Sequence, residues 1–279
     1  MSKKIGLALS SGGWRGLAHI GVIKALLDAN IPIDYITGCS TGALIGGLYL
    51  HLKDINLLSS IIDDLNYKDL FKTLIDPTLS QGLVKGRRYE KFLKRFISEK
   101  ILIQDLAIPF STVATELYSG KTVYFDSGSL LKAIRASTAV PLIFKPFTYQ
   151  NKLYVDGGIS TLVPVQKIKD TGADIVIAVN LYGKIFPIDK YTRPPKIFKK
   201  IRKTTRLTGY GVTRIANFSL LYHLALANCN QADIVISPPV EKNNFSIFSG
   251  FLAHKDTIDI GYQETKKHIP QIKQLLQMK

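Results

Sequence analysis

Gly38-Cys39-Ser40-Thr41-Gly42 sets a serine at the centre of a G-x-S-x-G, between an apolar run at 33–37 and a helix-like stretch at 43–50. Strand, sharp turn and helix in that order hold a serine at a strained apex, and the flanking glycines let strand and helix approach closely. Ser40 is therefore a candidate nucleophile. The pentapeptide by itself fits an ordinary strand-to-helix turn equally well. Further segments supply what acyl transfer would need beside it. The stretch 7–16, Leu-Ala-Leu-Ser-Ser-Gly-Gly-Trp-Arg-Gly, is another strand running into a glycine-rich turn, ahead of the amphipathic residues 17–29. Backbone N–H groups of small residues at a helix start cradle negative charge, as a tetrahedral oxyanion requires. Tyr154-Val155-Asp156-Gly157-Gly158 then places a carboxylate at a strand end beside glycines that admit another backbone.

Other chemistries can be weighed on the same residues. His223, His254 and His268 follow Asp156, so the order Ser, Asp, His leaves a histidine triad open. The α/β-hydrolase version of that triad builds several strands before its elbow, and here only about two fit before Ser40. His19 and His51 fall in helical stretches. A dinucleotide fingerprint needs G-x-G-x-x-G with an acid at the end of the second strand. Ser11 breaks that spacing, and Asp34 opens the strand it should close. No G-x-x-x-x-G-K-[ST] phosphate loop occurs.

The elements that must position these groups alternate. Periodicity predicts strands at 4–10 and 33–37, helices at 15–29 and 41–52, and helices within 54–75 and 86–98. Extended segments follow near 108–117 and 121–125, a helix near 128–136, strands near 144–155, a helix near 164–171, and buried strands at 174–180 and 233–237. This alternation implies an α/β protein with a parallel or mixed sheet covered on both faces, and chemistry at the carboxyl ends of its strands. A chain of 279 residues with 46% hydrophobic content can bury one large core, so a single domain spanning 1–279 is expected. Its core would be 5–182, completed by a basic segment at 184–214 and helices at 215–279.

On these motifs the chain resembles the patatin-like phospholipases. The family's glycine-rich loop is similar to residues 10–22, its elbow to Gly38, Cys39, Ser40, Thr41 and Gly42, and its aspartate motif to Asp156, Gly157 and Gly158. Residues 114–117 and 134–146 also look like family segments. The resemblance implies a three-layer α/β/α fold around a central, mostly parallel sheet, and a Ser–Asp dyad in which Asp156 takes the Ser40 proton directly. It further implies an oxyanion hole from the amides of Ser11, Gly12 and Gly13, with Gly16 in the same loop and Thr41 N–H as an additional donor. Arg15 would support that loop. The family glycine is replaced by Ser11, which supplies an N–H but disfavours φ > 0. Expected is a lipid acyl hydrolase without cofactor or metal. The alternatives are a soluble esterase or thioesterase, and a regulatory protein on the same fold.

Charge points to the partner. Against 21 acidic residues stand 37 basic ones, a net +16, and between 184 and 214 ten Lys or Arg accompany the single acid Asp189. Apolar residues such as Ile185, Phe186, Ile197 and Phe198 interleave with them. A solvated basic loop would have this composition, and so would an interfacial segment docking on anionic lipid, where each cation is worth about 1 kcal/mol. The latter suits a hydrolase of lipid esters, whereas no nucleic-acid motif accompanies the charge. Two cysteines, Cys39 and Cys229, are too few for a disulfide framework, which fits a cytoplasmic setting with peripheral membrane contact. The start reads as a first strand rather than a signal peptide, and no stretch approaches the roughly 18 apolar residues of a membrane span.

Overall fold

The computed structural model describes residues 3–65, 86–141, 143–183, 209–240 and 254–278. Most of the basic segment, 184–208, lies outside them. The chain begins with β1 (Ile5–Leu9), a 3-10 turn (Gly13–Leu17), α1 (Ala18–Asp28), β2 (Tyr35–Cys39), α2 (Thr41–Leu52) and α3 (Ile55–Asp64). After α4 (Arg87–Leu93) come β3 (Phe110–Glu116), β4 (Thr122–Phe125), α5 (Leu130–Ser137), β5 (Phe147–Tyr149) and β6 (Lys152–Asp156). The remainder is α6 (Val165–Lys169), β7 (Ile175–Val179), α7 (Gly209–Cys229), β8 (Ile234–Ile236) and α8 (His254–Gln277).

The fold is mixed α/β around a mostly parallel sheet, in which β8, β7, β1, β2 and β3 pair in that sequence, β3 pairs also with β4 and β6, and β6 with β5. Strand periodicity explains its layers. Ile5, Leu7 and Leu9 of β1 and Ile175, Ile177 and Val179 of β7 enter one apolar cluster, which holds residues of α1, α2, α5 and α8. The intervening Ala8, Val176 and Ala178 enter another with Val165 and Ile168 of α6 and Ala225 and Cys229 of α7. Successive side chains thus face opposite layers, both covered by helices.

Carboxylates fix the register where the parallel strands begin. Asp34 Oδ2 accepts the Ile5 N–H at 2.7 Å, Asp174 Oδ2 that of Lys4 at 2.7 Å, and Asp233 Oδ2 that of Val176 at 2.7 Å. Each satisfies an amide that the neighbouring strand starts too late to reach. This corrects the expected strand at 33–37: with the Asp34 side chain so engaged, β2 starts at Tyr35 and runs to Cys39, directly against Ser40. The expected helix at 15–29 likewise opens as a 3-10 turn before α1.

The C-terminal helix reaches back across the molecule. A Cβ on Gly21 of α1 would lie 1.9 Å from the Ile258 carbonyl oxygen, and one on Gly261 of α8 would lie 2.1 Å from that of Ala18. The helix backbones therefore touch, which only glycine permits at both points. Among the described residues no helix is long and apolar enough to cross a membrane. Replacing Gly21 by Ala should force α1 and α8 apart and lower stability by about 1–3 kcal/mol. A chemical denaturation midpoint that does not move would show that the crossing yields freely.

Candidate active site

Ser40 stands between the last residue of β2 and the first of α2 with φ 52° and ψ −115°, a conformation that favours glycine. The elbow is crowded enough to enforce it. A Cβ on Gly38 would lie 2.4 Å from the Ala43 nitrogen, and one on Gly42 would lie 2.3 Å from the Leu9 carbonyl oxygen. The Ser40 N–H donates to Ser137 Oγ at 2.8 Å, and its carbonyl accepts the first helical bond of α2 from Leu44 N at 3.0 Å. Its hydroxyl donates to Asp156 Oδ2 at 2.6 Å.

A strand has two edges, and this determines where Asp156 arrives. Along β3, β4 pairs with residues 112–115, β2 with 110–113 and β6 with 114–116. Because β4 lies opposite β2 at 112–113 and opposite β6 at 114–115, β2 and β6 must share the other edge, end to end. Cys39 lies opposite Val113 and Asp156 opposite Ala114, so the strand ends carrying nucleophile and carboxylate meet. The carboxylate is then held from several sides. Its amide donates to Ala139 O at 2.9 Å, its carbonyl accepts from Thr115 Oγ1 at 3.0 Å, and Oδ1 accepts the Gly158 N–H at 2.8 Å. Gly157 passes so close to β3 that a Cβ there would lie 2.4 Å from Val113 O. Burial pushes the Asp156 carboxyl up from 3.8 to about 6, against the hydrogen bonds from Ser40 and Gly158, which lower it.

The glycine-rich loop lies against this pair. Ser11 departs from expectation twice. Its N–H donates to Leu162 O at 2.9 Å and is thus already spent. Its φ is not positive, so serine in place of glycine carries no backbone strain, whereas Gly13 has φ 55°. The Ser11 hydroxyl faces Tyr182 instead. Arg15 Nε donates to Gly12 O at 3.2 Å and Nη1 to Leu181 O at 3.1 Å, with the guanidinium 4.4 Å above the Tyr182 ring. In a trans peptide the N–H opposes the C=O, so holding the Gly12 carbonyl also holds the Gly13 amide. Loop and elbow are joined at Gly16, where a Cβ would lie 2.2 Å from the Thr41 methyl, and by the Thr41 hydroxyl, which donates to Gly13 O at 2.9 Å.

Supporting groups to which the sequence reading gave no role complete the site. His19 is fully buried and held near pKa 4 by desolvation, hence neutral. Its Nε2–H donates to Ser10 O at 2.8 Å. Arg135, 2% exposed, fills a cage of Tyr89, Phe144 and Phe147, with its guanidinium carbon 5.7, 5.0 and 5.3 Å from the rings. That cage braces the end of α5, which carries Ser137. The histidines of the alternative triad are engaged elsewhere: His254 with Asp63 at 2.9 Å, His268 beside Glu264 at 3.8 Å, and His223 stacked edge-on to Tyr222.

Comparison with known proteins identifies the family. The patatin-like phospholipase family model matches residues 7–167, and the chain belongs to that family. An uncharacterized NTE family protein of Mycobacterium tuberculosis is 39% identical over 184 residues, covering 65% of this chain and 50% of the relative. Lysophospholipase NTE1 of Yarrowia lipolytica is 31% identical over 180 residues, 63% of this chain and 12% of the fungal protein. The chain therefore spans about half the length of the mycobacterial relative and far less of the fungal one. VipD from Legionella pneumophila shares the fold at TM-score 0.53 and 14% identity, over 97% of this chain and 67% of VipD.

Two stability effects follow from the strained serine and the buried carboxylate. Ser40→Gly should be more stable than Ser40→Ala by about 1 kcal/mol, because only glycine relieves the backbone. For Asp156, the folded carboxyl at about 6 lies above its unfolded value near 3.8. Its contribution to stability is therefore full below about pH 4 and lost as pH rises through 6. Asp156→Asn removes that loss and should be the more stable protein at pH 8, by up to roughly 3 kcal/mol. The advantage should vanish at pH 4. Denaturant titrations of wild type and variants at both pH values check this. A wild type more stable than Asp156→Asn at pH 8 would show that the carboxylate is not destabilised by burial.

Proposed function

We propose that this protein is a lipid acyl hydrolase that cleaves ester bonds of phospholipid-like or lysophospholipid-like substrates through a Ser40 acyl-enzyme. The observation carrying this reading is the 2.6 Å hydrogen bond from Ser40 Oγ to the buried Asp156 carboxylate. Family membership and the lysophospholipase name of the Yarrowia relative support the substrate class, and the net charge of +16 supports an anionic lipid surface as the place where substrate is met.

The chemistry proceeds in two halves. Ser40 Oγ attacks the ester carbonyl carbon while its proton passes to Asp156, and the carbonyl π pair moves onto oxygen. The amides of Gly12 and Gly13, together with that of Thr41 at the N-terminus of α2, take up this oxyanion. Collapse expels the alcohol portion, which leaves with the proton from Asp156. Water then gives a proton to Asp156 and attacks the acyl carbon, and release of the fatty acid returns that proton to Ser40. A carboxylate near 6 is a stronger base than an ordinary aspartate and is still mostly ionised at pH 7. Arg15 acts here as a positioning residue, because it orients the Gly12–Gly13 peptide rather than touching the substrate.

Purified protein should release fatty acid from lysophosphatidylcholine and turn over a short-chain ester, with kcat/KM falling on the acid side through a pKa near 6. Ser40→Ala and Asp156→Asn should each lose about 10²–10⁴-fold or more while remaining folded. Arg15→Gln should lower kcat by up to about 10²-fold with little change in KM. Single alanine variants of His223, His254 and His268 should keep full activity. Loss in any one of those folded variants would replace the dyad with a triad, and a folded wild type inert toward every ester would leave the regulatory reading.

A further inference from the structure

Beyond Cys39, where β2 ends, β3 continues for residues 114–116 with β4 and β6 on its edges. At about 3.3 Å per residue this raises a wall about 10 Å high beside the Ser40–Asp156 pair. The turns that cap it are stiff. In one, Tyr118 and Ser119 N–H both donate to the Glu116 carboxylate at 3.1 Å, and Gly120 has φ 68°. The other turns through Gln150 and Asn151 at φ 49° and 59°. Leu117 N–H donates to Leu153 O at 2.8 Å, which ties the turns together. Thr115 Oγ1 meets Ser160 Oγ at 2.9 Å and Thr122 Oγ1 meets Thr161 Oγ1 at 3.1 Å, which brings the loop after Asp156 against the same wall.

This rim exposes large apolar side chains: Leu117 at 39%, Tyr118 at 84% and Ile159 at 56%. Lys121 and Lys152 are exposed on the same turns, while the local acid Glu116 is turned onto the Tyr118 and Ser119 amides. Apolar side chains at the tip, an amphipathic tyrosine and flanking cations on a chain of net charge +16 match one kind of partner.

We propose that the rim formed by Leu117, Tyr118, Lys121, Lys152 and Ile159 seats the protein on anionic phospholipid, which delivers the ester to the pair at the foot of the wall. The proposal rests on the hydrolase reading for its purpose, but its test does not. Wild type and Leu117→Ser/Tyr118→Ser are co-sedimented with vesicles of mixed phosphatidylglycerol and phosphatidylcholine across a salt series. The same proteins are assayed on a short-chain ester in solution.

The variant should bind vesicles roughly tenfold more weakly. Lys121→Gln/Lys152→Gln should weaken binding by a similar factor at low salt and flatten its salt dependence. Soluble-ester turnover should be unchanged in both. Tyr118→Trp should add a fluorescence component that shifts to the blue with vesicles, beyond any change from Trp14 in wild type. A wild type that ignores these vesicles, or a Leu117→Ser/Tyr118→Ser variant that binds as wild type does, overturns the rim. So does loss of binding only when Lys199, Lys200, Arg202 and Lys203 become Gln, which moves docking to the basic segment. Vesicle binding that follows the pattern in a protein inert toward esters keeps the rim and discards the hydrolase.

Discussion

A single β-strand edge is shared by two others, and the candidate site depends on it. β3 pairs with β2 up to Val113 and with β6 from Ala114, with β4 along its opposite edge. Parallel β2 delivers Ser40 upward and antiparallel β6 delivers Asp156 downward to the same level. The resulting 2.6 Å hydrogen bond joins residues 116 apart in sequence. It needs no flexible loop to align it, since both groups are fixed by strand register within a packed sheet.

That placement has energetic consequences. The carboxylate loses its hydration and Ser40 adopts a backbone conformation suited to glycine, each costing on the order of 1–3 kcal/mol. The surroundings offset this with directed polar contacts. Ser137 takes the Ser40 amide, Gly158 donates to the carboxylate, Thr115 holds the Asp156 carbonyl, and neutral His19 holds the carbonyl ahead of the glycine loop. Arg15 works the same way on the Gly12 carbonyl, and its contact with Tyr182 reaches Ser11 as well. The site is therefore rigid and polar within a protein whose stability comes from apolar layers on both sheet faces.

Much of this was legible in the chain because it is local. Gly38 to Gly42 and Asp156 to Gly158 carry their constraints in adjacent residues, and the clashes that would follow from a Cβ at Gly38, Gly42 or Gly157 show why glycine is needed there. The alternation of apolar strands and helices likewise announced a covered parallel sheet. What escaped is non-local. Nothing near Ser11 indicates that its amide is claimed by Leu162, 151 positions on, or that its φ is ordinary. Ser137 acts through a single hydrogen bond to the Ser40 backbone, 97 positions away. Gly21 and Gly261, far apart in the chain, reveal their purpose only when α1 and α8 cross. The start of β2 is masked in the sequence because Ile33 is buried like a strand residue although it precedes the strand.

The central claim is that the Asp156 carboxylate activates Ser40 directly. Reaction with a fluorophosphonate, followed by mass spectrometry of the peptide that carries the adduct, tests this without any assumption about the natural lipid. Labelling is expected on Ser40 alone, at a rate that rises with pH through a midpoint near 6 and is abolished in Asp156→Asn. Labelling of another residue, or labelling of Ser40 that persists in Asp156→Asn with an unchanged pH profile, would contradict it.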